Sequence, residues 1–78
     1  MSVPEMVVTM TFAEALEIVL AGGRITKLDW QDQQFWCELV NGQLHLHKPD
    51  GINYPLIVSE GDLRGADWVD WWVWRNSQ

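Results

Sequence analysis

Residues 11–30 read TFAEALEIVLAGGRITKLDW, and the change of rhythm inside this stretch decides the fold class. Phe12, Ala15, Leu16, Val19 and Leu20 recur at helical spacing and form one apolar stripe. Thr11 followed three residues later by Glu14 is a capping box, in which side chains and backbone satisfy each other's free groups at a helix start. Gly22-Gly23 supplies the stop, because glycine enters the left-handed conformation that ends a helix without steric cost. The spacing predicts a helix over about 12–21. RITKLDW then switches to alternation. It predicts a short strand with Ile25, Lys27 and Asp29 on one face and Thr26, Leu28 and Trp30 on the other.

Further along, QFWCELV and LHLHK flank Asn41-Gly42, the strongest short signal for a β-hairpin. YPLIV reads as a fourth strand with Pro55 at its start, where a missing N–H does least harm. In SEGDLRG, Ser59 and Asp62 stand at capping-box spacing and predict a single helical turn. DWVDWWVW, residues 67–74, is expected to close the chain as a strand. It would carry Trp68, Asp70, Trp72 and Trp74 on one face and Val69, Trp71 and Val73 on the other. The expected fold is α+β: an N-terminal helix packed on a small antiparallel β-sheet, with a short helical turn before the C-terminal strand. Residues 11–75 make the single domain, 1–10 an N-terminal extension or first strand, and 76–78 a tail.

Four of the six tryptophans fall between Trp68 and Trp74. Read as a strand, this run has bulky apolar groups on both faces, and one helix covers only one side of a small sheet. The second face is therefore expected to meet something else, since contiguous exposed aromatic patches usually mark contact surfaces. Self-association is the first expectation; a ligand-stacking platform and a partner-protein site are the alternatives. Size argues the same way. A chain of 78 residues buries only about 60% of its unfolded surface, and small domains often add oligomerisation. Cys37 is the only cysteine, which leaves no intrachain disulfide and fits a reducing compartment.

Eleven Asp and Glu against five Lys and Arg give a net charge of −6. Polymeric nucleic acid and anionic membranes would be repelled overall. No stretch approaches the roughly 20 apolar residues of a membrane span, and the first residues lack the basic-then-apolar pattern of a secretion signal. The expected location is the cytoplasm.

Candidate chemistry is sparse. His45 and His47 lie two apart on a predicted strand and share a face, a spacing that offers two imidazoles to zinc. Without a second ligand cluster they read as ordinary strand residues, and no metal site is expected. Asp29, Asp32, Asp67 and Asp70 are scattered and read as solvated or capping carboxylates, while Asp62 reads as the third residue of its capping box. Cys37 sits mid-strand, with neither a glycine elbow nor a helix start beside it to activate a thiolate, and reads as a small apolar residue. Gly22-Gly23 follows a helix instead of leading into one, so it is not a phosphate loop. Neither an enzyme nor a bound cofactor is expected. One stretch does hint at a ligand: Arg24, Lys27 and Trp30 put an aromatic face beside cations, which suits a nucleotide. A solvated Lys27 and a core Trp30 explain it equally well.

TFAEALEIVLAGGRITKLDW, joined through a variable middle at 31–53 to PLIVSEGDLRGADWVDW, resembles the Thoeris anti-defence two family of small phage and prophage proteins. The family's opening pattern corresponds to Phe12, Glu14, Ala15, Leu16, Gly23, Arg24-Ile25, Lys27 and Trp30. Its ending corresponds to Ser59, Asp62-Leu63, Ala66 and Asp67-Trp68. Ala13 stands where glycine is typical, Lys27 where arginine is common, and Gln31 where asparagine is frequent. The match spans roughly residues 11–71.

The resemblance implies a non-catalytic sponge that binds cyclic ADP-ribose isomers, or cyclic oligonucleotide signals, and keeps them from the Thoeris effector. It also implies a homo-oligomer, typically a tetramer, with ligand pockets between protomers. Under that implication Trp30 would stack on a base, Lys27 would meet the pyrophosphate, and Tyr54 or Asp62 would take ribose hydroxyls. The alternatives are a homo-oligomeric phage or prophage protein-interaction module, or a small toxin, neither binding nucleotides.

Overall fold

In the computed structural model, which describes residues 7–77, Thr11 starts the first helix as the spacing predicts. Its hydroxyl accepts from the Glu14 N–H at 3.2 Å, and the Glu14 carboxylate accepts from the Thr11 N–H at 2.9 Å. The Thr11 N–H and hydroxyl, both donating to the Glu14 carboxylate, hold that carboxyl below its usual range. Helix α1 spans Phe12–Leu20. Gly22 and Gly23 close it by donating to the Val19 and Ile18 carbonyls, each at 2.9 Å. Gly22 has φ 93°, and the two reverse bonds form a Schellman ending. Phe12, Ala15 and Val19 are buried, but Leu20 is 74% exposed. At 3.6 residues per turn it lies about 80° round from Phe12, off the edge of the stripe.

The chain continues as β1 (Ile25–Lys27), β2 (Trp36–Val40), β3 (Gln43–His47), β4 (Asn53–Pro55), α2 (Glu60–Arg64), β5 (Trp68–Asp70) and α3 (Trp71–Asn76). The strands form one antiparallel sheet in the order β4-β3-β2-β1-β5. Asn41 and Gly42, at φ 53° and 80°, make the two-residue hairpin turn that sets Val40 opposite Gln43. The fold is α+β, with an N-terminal helix, a five-stranded sheet and a short helix before the last strand.

Register assigns every strand side chain to a face. Ile25, Lys27, Cys37, Leu44, Leu46 and Trp68 face α1. With Phe12, Ala15 and Val19 they supply the main core. Thr26, Trp36, Glu38, His45, His47 and Val69 face the other way. There α3 lays Trp71 and Trp74 over Val69, with Val7, Leu28 and Trp36 around them.

Three expectations are corrected. The strand read over 24–30 stops at Lys27, and Leu28–Trp30 turn as a 3₁₀ helix ending in Gln31 at φ 53°. Pro55 ends β4 instead of starting it. β4 is an edge strand, where the missing proline N–H breaks no ladder bond. The largest correction is the tryptophan run, which is a strand only through Asp70. The Asp70 carboxylate accepts from the Trp72 and Val73 N–H groups, at 2.9 and 3.3 Å, and starts α3. Trp71 and Trp74, three apart, then share the buried face while Trp72 and Val73 turn outward. The β1–β5 end of the second sheet face is therefore covered by the chain's own α3, where the strand reading required an outside partner.

Of the N-terminal stretch, residues 1–6 lie outside the described residues. Val7 is buried and Met10 forms a single bridge with Trp68. At the other end Ser77 donates its hydroxyl to the Val73 carbonyl at 2.7 Å.

Asp70→Ala removes the N-cap of α3. It is expected to lower stability by about 1 kcal/mol and to red-shift the tryptophan fluorescence as Trp71 and Trp74 loosen. Urea titration followed by intrinsic fluorescence measures both.

Candidate functional site

Two groupings of charged and aromatic side chains stand out, one on each face of the sheet. The first lies beside α2 and holds three of the four residues expected to bind ligand. Lys27, opposite Trp68 in register, is buried. Its ammonium donates to Asp62 Oδ1 at 2.7 Å and lies 3.9 Å from Asp67 Oδ1. Asp62 also accepts from Ser59 in the capping box of α2, so one carboxylate serves a helix cap and an ion pair. Hydrogen bonding to Lys27, then to Ser59, holds the Asp62 carboxyl below its usual range, while the bond to Asp62 raises Lys27 above its own. Trp30 is half-buried. Its ring meets Trp68 edge-on, with centroids 5.5 Å apart, and leans on Phe35 at 5.7 Å. The Trp68 indole N–H donates to the Asp62 carbonyl at 3.0 Å. Trp30, Lys27 and Asp62 thus converge on Trp68.

Tyr54 stands apart on edge strand β4. Its hydroxyl donates to Asp50 at 2.7 Å and the Lys48 ammonium lies 4.6 Å from its ring centroid. The bond to Asp50 raises the phenol's pKa and lowers that of the carboxyl.

The second grouping is a row of planar groups across the opposite face. His47 stacks on Trp36 with centroids 3.7 Å apart and planes 5° from parallel. The Arg24 guanidinium lies 4.5 Å from the Trp36 ring, 5.1 Å from Trp71 and 5.7 Å from Trp72. Strand order puts His47 and Arg24 on opposite sides of Trp36. Arg24 Nε donates to Glu38 at 2.7 Å, which fixes the guanidinium. The Trp71 indole N–H donates to the Gln33 carbonyl at 2.8 Å, and a ring nitrogen of His47 bonds the Gln34 carbonyl at 3.0 Å. The loop before β2 is pinned to this face by both.

Arg24, His47 and the C-terminal tryptophans each stood out in the sequence, but nothing there joined them. The opposition of Trp36 and His47 was readable by counting outward from the Asn41-Gly42 turn. The Arg75 guanidinium, 5.2 Å from the Trp71 ring, and Trp72 join this face only because the tail is helical. His45 and His47 do share a face, but no group of three His, Cys, Asp or Glu able to hold a metal occurs among the described residues. Cys37 is fully buried, and burial, followed by the Asp62 charge, pushes its thiol up to about 12. It is a core residue and a poor nucleophile. No helix among the described residues is long and apolar enough to cross a membrane.

The pairing of Lys27 with Asp62 fixes a direction for acid sensitivity. A carboxyl depressed in the folded state adds stability above its ordinary value of 3.8, and that stability is lost as pH falls through the folded value. The raised Lys27 acts at the other end, adding stability that is lost as pH rises through its folded value, above the ordinary 10.5. Asp62→Asn is expected to lower stability at neutral pH by about 1–3 kcal/mol, as for a hydrogen bond to a charged group. It should also flatten the loss of stability between pH 5 and 2. Thermal melts of both proteins across that range test this, and an unchanged acid slope would locate the sensitivity elsewhere.

No protein-family model matches the chain, and no curated protein matches it.

Proposed function

We propose that the protein is a non-catalytic binder that sequesters a cyclic nucleotide signal of the cyclic ADP-ribose type. In this reading it acts in the bacterial cytoplasm as a homo-oligomer, tetrameric by its resemblance to the Thoeris anti-defence two family, and antagonises Thoeris-type anti-phage defence. One observation carries the reading on the structural side: the exposed indole of Trp72 lies beside the Arg24 guanidinium, which is itself seated on Trp36. That is the chemistry a purine and a pyrophosphate need.

Sequestration requires tight binding without turnover. A micromolar sponge needs about 8 kcal/mol and a nanomolar one about 12. Stacking of one base supplies about 1–3, so phosphate and ribose contacts in an enclosed site supply the remainder. Within one copy, the pocket lined by Val7, Val8, Met10, Asp70 and Val73 holds about 90 Å³. Nucleotide-sized sites start near 300 Å³. A ligand seat enclosed between two copies is what the family resemblance implies.

A second reading, a protein-interaction module, draws on Trp72, which is 47% exposed, and on the exposed Val73 and Val8. The two readings separate by calorimetric titration with a panel of cyclic ADP-ribose isomers and cyclic dinucleotides, followed by heat release and chromatography of the ligand. Saturable binding at micromolar Kd or tighter, with the ligand recovered intact, is the expected result. An intact oligomer that binds nothing on the panel would favour the interaction module, and a chemically altered ligand would contradict a sponge.

A further inference from the structure

The five cations of the chain divide by what they meet. Lys27 is held by Asp62 and Asp67, Arg64 meets Glu60 at 2.8 Å, and Lys48 lies over Tyr54. Arg24 and Arg75 instead share one pair of indoles. Arg24 Cζ lies 5.1 and 5.7 Å from the Trp71 and Trp72 rings, and Arg75 Cζ lies 5.2 and 5.8 Å from the same two. Glu38 engages only Nε of Arg24, so the two Nη groups carry no hydrogen bond among the described residues. Arg75 has no carboxylate partner among them.

A chain of net charge −6 thus gathers two guanidinium groups on one aromatic pair, with Glu38 as their one carboxylate partner, on Arg24, among the described residues. Guanidinium forks match phosphate oxygens in geometry. Beside them Trp72 offers an exposed indole on which a base can lie. On the same sheet face Thr26 Oγ1 and Trp36 Nε1, on adjacent strands, are buried with no partner among the described residues. Orphaned groups of this kind are rare and call for a water or ligand atom.

We infer that this face, at Arg24, Trp72 and Arg75, seats a nucleoside phosphate, with the phosphate on the two guanidinium groups and the base on Trp72. The inference takes its ligand class from the nucleotide reading above and moves phosphate recognition from Lys27, whose ammonium is already paired, to the arginines.

The test is to follow the tryptophan indole N–H signals of the full chain by NMR during titration with ADP-ribose and, separately, inorganic pyrophosphate. The Trp71 and Trp72 signals are expected to shift saturably with both. Arg75→Gln should weaken both ligands about tenfold or more, the loss of one charge-assisted contact. Trp72→Ala should weaken ADP-ribose and spare pyrophosphate. Arg64→Gln, which removes the same charge from α2, should change neither. Arg75, Trp72 and Arg64 are all exposed, so these variants keep the core intact.

Absent shifts, shifts confined to Trp30 and Trp68, or an Arg75→Gln protein that behaves like Arg64→Gln would overturn the inference. Cyclic nucleotides held tightly by the Arg75→Gln protein would refute this seat and leave sequestration standing. ADP-ribose docking here with no cyclic ligand retained would do the reverse.

Discussion

The indole of Trp68 is the contact on which the rest of the structure depends. It is 1% exposed, and four parts of the chain close on it. Phe12 of α1 packs at 5.0 Å and Trp30 of the 3₁₀ turn at 5.5 Å. Lys27 of β1 lies opposite in register, and Asp62 of α2 takes the indole N–H on its carbonyl. Its backbone also exchanges two hydrogen bonds with Met10, at 2.8 and 3.1 Å. Truncating a buried tryptophan typically costs about 3–5 kcal/mol, against total stabilities of about 5–15 for whole domains. α2 depends on this contact most. Five residues cannot sustain a helix alone, and α2 is held by its capping box, by Lys27 and by the Trp68 N–H.

That dependence explains which parts of the fold were legible. α1, the Asn41-Gly42 hairpin and the α2 cap rest on local chemistry: a stripe, a turn dipeptide and a Ser-x-x-Asp spacing. Each was read correctly because the forces that set it act within a few residues. The 3₁₀ turn at Leu28–Trp30 was misread because alternation of apolar and polar residues continues through Trp30 while the backbone does not. Leu28 N–H donates to Asp67 at 3.1 Å, and Trp30 swings round to pack on Trp68. The competing signal was tertiary.

The C-terminal run carries the same lesson in a sharper form. Trp and Val favour strands, and eight residues are too few for periodicity alone to separate a strand from a helix. Asp70 decides the matter by taking the N-cap role. That role was open to it on sequence grounds, but nothing local marked it over the strand reading. The consequences reach the candidate site. Trp72 and Arg75 belong to the Arg24 face only when the tail is helical, so misreading one cap concealed both of them. Lys27 and Trp30 were legible as neighbours, Asp62 joined them only through the resemblance, and the Lys27–Asp62 ion pair was not foreseen.

The choice of cation on each sheet face follows from side-chain chemistry. Lysine carries a compact, strongly hydrated charge that is costly to bury unless a carboxylate meets it directly. Lys27, inside, has Asp62 at 2.7 Å, and its role is to anchor α2. Arginine spreads its charge over a plane that can lie against indoles while keeping N–H groups free at its edge. Arg24 does this between Trp36 and the Trp71–Trp72 pair. Replacing Arg24 by lysine would undo its arrangement, since an ammonium lacks the flat fork. A basic residue near a tryptophan in sequence is therefore weak evidence for a ligand site. What separates a structural cation from one able to bind is what its donors already meet: Lys27 is bonded to Asp62, while the outer edge of Arg24 has no partner among the described residues.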